Sequence, residues 1–183
     1  LMQMVNSIAQ APFYSKLPAF GQMFARGETA RLIQSVSRSM RLAHWSFVIP
    51  FAVGGLAGPK MLALIHSRTP FPSSLLWGLL GAAFLIERYG AMHIHLFSLT
   101  NKILSHVANG VSGGLALGIA WYLYPRLGMP ALPLAMAIGY ALFYAWYCPV
   151  LSYRAFGLKF PAFEFRTMLP PAVVFVCVLF LLC

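Results

Sequence analysis

Apolar runs about as long as a membrane is thick recur along this chain, and nothing else in it constrains the fold as tightly. Complete runs cover about 42–65, 75–99, 104–124 and 131–153, and partial ones cover 1–17 and 168–183. At 1.5 Å per residue, about 20 helical residues cross the roughly 30 Å of hydrocarbon in a bilayer. Backbone polar groups in lipid must be satisfied within their own segment, so a spanning run of this kind is a helix. The expectation is therefore an all-α polytopic transmembrane helix bundle with four full crossings and two partial ones. Composition agrees: of 183 residues, 60% are hydrophobic and 9% charged, against roughly 25% charged in a soluble domain. A soluble chain of this size has no core large enough to hide that surface.

Between the first two runs lies a basic cytoplasmic segment, 18–41, with Arg26, Arg31, Arg38 and Arg41 against Glu28. Leu32, Val36 and Met40 recur every four residues, which predicts a short helix at the headgroup level of an anionic surface, or else a solvated loop helix. The second run contains Pro50, Gly54, Gly55 and Gly58, and Pro59 and Lys60 place its end near residue 59. Small residues at Gly54, Gly55, Gly78, Gly81, Gly113 and Gly114 predict close helix packing, with flexibility for a moving bundle as the functional reading. The chain opens without Met and closes inside an apolar run, which gives the expectation of a fragment of something longer.

Charge sets an orientation. With the segment after Pro18 cytoplasmic, the cytoplasmic flanks carry Lys16, Arg26, Arg31, Arg38, Arg41, Lys102, Arg154, Lys159 and Arg166, and the opposite flanks Lys60, Arg68 and Arg126. Nine against three satisfies the positive-inside rule. The net charge of +10 is spread as punctuation between apolar runs, so it does not point to nucleic acid. Trp45, Trp77, Tyr122 and Tyr124 fall near span ends, where amphipathic rings favour the interface.

The third run, LLWGLLGAAFLIERYGAMHIHLF, carries Glu87 and Arg88 near its middle. A charge at bilayer depth costs about 2.5–3.5 kcal/mol on insertion scales, so both need a wet or protein-lined environment. At roughly 100° per residue, with Glu87 at zero, Arg88 falls at about 100°, His95 at 80°, Ser98 at 20° and Lys102 at 60°. One polar arc running toward the cytoplasmic end predicts a water-filled cavity or a bundle interior, with Arg88, Glu87, His95, Lys102 and Ser98 as candidate binding residues. The competing account makes Glu87 and Arg88 assembly contacts to adjacent helices. Neighbouring helix residues do not face each other, so a direct bridge between them is not expected. His93, at about 240°, lies off the arc and is expected to meet a neighbouring helix.

Other chemistries lack their residues. The chain has no aspartate, no HExxH, no repeated histidine box, no GxxxxGK[ST] and no GxGxxG. No catalytic group, metal site or cofactor is expected, although two histidines on separate helices leave haem ligation open. Cys148, Cys177 and Cys183 lack ligand-like spacing and read as small buried hydrophobes.

The string QAPFYSKLPAFGQMFARGETARLIQSVSRSMRLAHWSFVIPFAVGG, 10–55, resembles the polysaccharide and lipid-linked oligosaccharide flippases of the multidrug/oligosaccharidyl-lipid/polysaccharide exporter superfamily, with Pro12, Lys16, Leu17, Gly27, Glu28 and Pro50 at matching places. SLTNKILSHVANGVSGGLALGIAWYLYPRLGMPALPLAMAIGYALF, 98–143, resembles the second lobe of such proteins through Asn101, Gly113, Pro125, Gly128 and Ala131. The resemblance implies two six-helix lobes around an alternating cavity, with the first lobe outside this sequence. It further implies a bacterial cytoplasmic (inner) membrane, an anionic lipid-linked glycan as substrate, and a cationic cavity residue that receives its diphosphate. Arg88 is assigned that role by the arc and not by a family motif. A drug exporter of the same superfamily, an integral membrane acyl- or glycosyltransferase, and a noncatalytic membrane subunit remain the alternatives.

Overall fold

A computed structural model describes residues 2–64, 66 and 70–182. Leu1, Ile65, Arg68 and Cys183, used in the reading above, lie outside the described residues. Every regular element among those described is helical. Helix α1, Met2–Tyr14, buries Met2, Asn6, Ala9 and Phe13 at helical spacing against its neighbours. Helix α2, Leu17–Ala25, starts with Pro18 in its first turn, where the missing N–H costs nothing. Gly27, at φ 72°, turns the chain into α3.

The expected separation of a surface helix from the second span does not occur. Helix α3 runs unbroken over Thr29–Leu64, 36 residues, or about 54 Å at 1.5 Å per residue. That exceeds the hydrocarbon thickness by about 20 Å, so one end of the helix stands clear of the lipid. Pro50 and Pro59 both lie inside it and neither ends it. The stripe of Leu32, Val36 and Met40 is present, but it faces protein and not lipid. It packs in an apolar cluster with Phe13, Phe20, Met92, Leu96, Phe156 and Phe163.

Helix α4, Ser74–Ser98, begins at Ser73, whose side chain accepts a hydrogen bond from the Leu76 amide. It packs against α1, α3, and the helices that follow, and is the central helix of the bundle. Helix α5, Ser105–Leu127, is followed by α6, Ala131–Gly139, a π-helical turn at Tyr140–Tyr144, and α7, Ala145–Phe156. Gly157, left-handed at φ 59°, ends α7 and returns the chain into the short α8, Ala162–Thr167, and then α9, Leu169–Leu182.

Three helical stretches are long and apolar enough to cross a membrane: Thr29–Leu64, Ser74–Ser98 and Ala131–Phe156. The protein is a multi-pass membrane helix bundle. Helix α5, expected as a fourth crossing, has the length but falls outside this group. Ser105, His106, Asn109 and four glycines dilute its apolar character. Only Ala108 and Ser112 of α5 are buried, while Leu117 and Trp121 stand open.

Two apolar clusters at opposite ends of the bundle show that the helices alternate in direction. The first, named above, gathers the end of α1, the start of α3 and the ends of α4 and α7. The second joins Met2 and Ala9 of α1, Phe47, Val48 and Phe51 of α3, Trp77 and Leu85 of α4, and Phe175 and Val178 of α9. Cytoplasmic-flank cations of the sequence reading thus collect at the first cluster's end. Trp77, expected at a water interface, is instead buried, donating its indole N–H to the Phe51 carbonyl at 3.3 Å. Its ring lies where side chains at Gly54 and Gly55 would be, 2.9 Å from a Cβ at either position.

Lipid supplies no hydrophobic force between helices, so close packing must hold them together. At Gly139 an added Cβ would meet the Ala116 backbone at 2.9 Å, and at Gly90 the Tyr144 ring at 2.2 Å and its carbonyl at 3.0 Å. By contrast, Cβ atoms at Gly113 and Gly114 would meet nothing within 4 Å, so within this chain these two are not helix contacts. Gly139→Val is expected to destabilise the bundle by about 1–3 kcal/mol, because the obstructing atoms are backbone. Gly113→Ala should leave stability unchanged or raised. Thermal unfolding in detergent compares the two; equal losses would contradict the packing described.

Candidate functional site

The polar residues of α4 lie in a layer between the two apolar clusters. Leu85 belongs to one cluster and Met92 to the other, and Arg88 falls between them. Arg88 is 1% exposed. Its Nη2 donates to the backbone carbonyl of Asn6 at 2.8 Å and to the Asn6 side-chain oxygen. Its guanidinium lies 4.8 Å from the centroid of the Phe47 ring, a cation–π contact. Nε and Nη1 are buried with no acceptor among the described residues, and Glu87 Oε2 is buried without a donor. No Glu87–Arg88 ion pair forms among the described residues, in keeping with their adjacent positions.

The rest of the expected arc is divided. Tyr14 of α1 packs edge-on against the His95 ring at 4.9 Å, and Ser98 donates to the His95 carbonyl at 2.7 Å. Lys102 does not continue the arc. Helix α4 ends at Ser98, Asn101 takes a left-handed φ of 61°, and Lys102 is exposed beyond the helix. The arc faces α1 rather than an open chamber within this chain. Pro50, Gly54 and Gly55 lie in the middle of α3, away from this polar layer, with both glycines against Trp77.

His93, off the arc, meets the more elaborate network. Its Nδ1 lies 2.7 Å from the Ser152 hydroxyl of α7, and Nε2 lies 3.3 Å from Glu164 Oε1 of α8. Ser152 donates its only hydrogen to the Pro149 carbonyl at 2.9 Å, so toward His93 it accepts. That makes Nδ1–H the donor. The edge facing Glu164 must then carry a proton, on Nε2 or on the carboxyl, because two lone pairs would otherwise oppose each other. Nε2 and Oε1 are within ion-pair range but off the line of a hydrogen bond.

Glu164 is held from several sides. Tyr89 donates to Oε1 at 3.1 Å, Tyr153 donates to the same oxygen, and the Thr167 hydroxyl lies 3.1 Å from Oε2. Burial acts to raise its pKa, but the charge of His93 and the hydrogen bonds donated by Tyr153 and Tyr89 outweigh it and hold the carboxyl below the ordinary carboxylate range. His44 of α3 is also buried in this layer, its ring 6.5 Å from that of Tyr89 and both nitrogens without a hydrogen-bond partner among the described residues. The sequence signals available were the off-arc position of His93 and the lone acid at Glu164, but neither reveals which helices meet.

Two clefts open near α8. The larger, about 710 Å³, lies between the first third of α3 and the 157–166 segment, with Arg38, Arg41, Lys159 and Arg166 in its lining. A smaller one of about 430 Å³ is lined by Tyr89, Trp146, Tyr153, Phe160 and Arg154 among others, and shares Leu158 with the first. No group of three or more His, Cys, Asp or Glu arranged to hold a metal occurs among the described residues.

Comparison with protein-family models, with curated proteins and with solved structures finds no match to this chain.

Because the Glu164 pKa is depressed in the folded state, its contribution to stability is complete above the unfolded carboxylate value of about 4.3 and fades as pH falls through the lower folded value. Thermal midpoints measured on acidification should therefore drop more steeply for the native chain than for Glu164→Gln. Parallel curves would show that the network contributes nothing to this dependence.

Proposed function

We propose that this chain is the second lobe of a two-lobe translocase. It carries a polyprenyl-diphosphate-linked oligosaccharide or polysaccharide precursor across a bacterial cytoplasmic membrane by alternating access. The observation that carries the reading is Arg88: a guanidinium buried in the middle of the central apolar helix, with two of its N–H-bearing nitrogens lacking an acceptor among the described residues. An unmet buried donor costs about 1–3 kcal/mol, and more when charged. A chain under no functional demand for an anion site gains stability by exchanging such a residue for an apolar one of similar volume.

Planar, bidentate donors suit phosphate oxygens better than an ammonium does. The side chain is tethered through Nη2 to a neutral amide on α1, an acceptor that an incoming phosphate outcompetes on charge alone. In this scheme α1 moves off α4, the orphan edge of Arg88 takes the diphosphate, and the lipid tail remains in the bilayer. Rocking against a first lobe then exposes the headgroup to the other side. With no substrate bound Asn6 holds the cation, and Glu87, adjacent in sequence but unpaired with it, is the candidate carrier of a coupling proton.

The test is translocation of a lipid-linked oligosaccharide by the full-length protein reconstituted in vesicles. Arg88→Gln should lower the rate by about tenfold or more, equivalent to ~1.4 kcal/mol, with membrane abundance and thermal midpoint close to native. Arg88→Lys should recover part of the rate, since charge is kept and the fork is lost. Matched losses of abundance and rate would make Arg88 an assembly contact, and transport of lipophilic cations in place of the glycan would overturn the cargo class.

A further inference from the structure

We propose that the cleft between the first third of α3 and the α7–α8 turn is a second anion site, distinct from Arg88, which binds a phosphate or diphosphate group at the membrane surface. Its occupant in the native membrane is a lipid-carried headgroup or a soluble phosphate of the same chemistry. The proposal goes beyond the translocase reading and stands without it, because binding here does not require transport.

Four cations converge on one concavity of about 710 Å³: Arg38 and Arg41 from α3, Lys159 from the turn, and Arg166 from α8. Gln34 and Ser37 add neutral polar groups to the same wall. None of the four has a carboxylate within 4.0 Å among the described residues, where the ion pairs are Arg31–Glu28 and His93–Glu164. The one acid near the cleft, Glu164, belongs to α8 itself but is turned to the opposite side. Tyr89, Tyr153, Thr167 and His93 surround it there. The fold thus turns the acid of α8 away from four like charges and leaves them unpaired, among the described residues, around one cleft. Like charges so placed repel, and a multivalent anion between them relieves that repulsion.

Backbone geometry fixes the gap. Gly157, in the left-handed region at φ 59° and ψ 34°, reverses the chain after α7. Phe163, which also lines the cleft, is anchored in the first apolar cluster. A diphosphate suits the size and charge of such a site better than a single carboxylate does, since its oxygens can meet guanidinium forks from two walls at once. The position also fits a headgroup. Helix α3 is about 20 Å longer than the hydrocarbon thickness, and the cleft lies along its basic first third, beside the apolar cluster at the ends of α1, α4 and α7.

The full chain, purified in detergent, is titrated at low ionic strength with inorganic diphosphate, farnesyl diphosphate and farnesol, and binding is read by calorimetry. Both diphosphates should bind and compete, and farnesol should not. Removing the four charges together (R38Q, R41Q, K159Q, R166Q) should weaken diphosphate binding by at least about tenfold, while the pair K60Q and R126Q, which removes charge elsewhere, should leave it within about twofold. All four side chains are exposed, so the fold is expected to survive, as a thermal midpoint checks. Equal affinity for the two diphosphates identifies a soluble anion as the ligand; tighter binding of the farnesyl compound identifies a lipid-carried one. Native-like affinity in the fourfold variant, or an equal loss in the K60Q and R126Q pair, would overturn the proposal.

Discussion

Keeping a guanidinium inside an apolar helix bundle is the constraint around which the rest of the structure is arranged. Arg88 stands between two apolar clusters, and its neighbours are what a low-dielectric interior requires of a retained charge: a carbonyl and an amide from Asn6, and the face of Phe47. These partners fix how α1 lies against α4, because the carbonyl of Asn6 is available only if α1 runs alongside at that height. They also explain why α4 is central. A helix with Glu87, Arg88 and His93 on different sides cannot show any of them to lipid, so other helices must cover it on every side.

Three acids in the chain have three different fates, and together these decide its electrostatics. Glu28 pairs with Arg31 at 3.2 Å on the surface, a bridge worth little to stability. Glu87 stays beside Arg88 at mid-helix. Glu164 is drawn inward by two tyrosines, a threonine and a histidine. None of the three pairs with a cation of the cleft, so of the nine Lys and Arg at the face that the sequence reading makes cytoplasmic, the Arg31–Glu28 pair is the one ion pair among the described residues.

Local periodicity made much of this legible. The spacing of Leu32, Val36 and Met40 marked a helix with one apolar face, though at the headgroup level rather than against protein, and the lengths of the apolar runs located α4, α5 and the 131–156 helix to within a few residues. What periodicity lacks is the identity of the partner. The same stripe fits lipid or protein, and it is the return of α8 and α2 onto α3 that covers it. Pro59 read as a stop because proline removes a hydrogen bond, yet α3 continues through it, since one lost bond is a small part of a 36-residue helix. A wheel drawn for α4 alone grouped Arg88 with His95 and Ser98 but extended the arc to Lys102, past the left-handed Asn101 that ends the helix. Gly54, Gly55, Gly78 and Gly81 are crowded as expected, while Gly113 and Gly114 are open and Gly90 and Gly139, not singled out in the sequence, are tight. Which glycine is crowded depends on the neighbour's backbone, which no single segment encodes.

The two polar regions of the bundle are not independent, because α8 belongs to both. Six residues are too few to hold a helix by their own hydrogen bonds, so α8 keeps its place through what its side chains touch. Glu164 ties it to α4 and α7, and Phe163 seats it in the apolar cluster, its ring 6.0 Å from that of His93. Arg166 and Ala162, a residue or two away, face the cationic cleft. A change in the proton on the His93–Glu164 edge therefore acts on the same short helix that positions one wall of the cleft. Arg166, in the wall of the cleft, and Glu164, held by Tyr89 and Tyr153, thus sit on the same short helix, and whatever displaces one side chain is felt at the other.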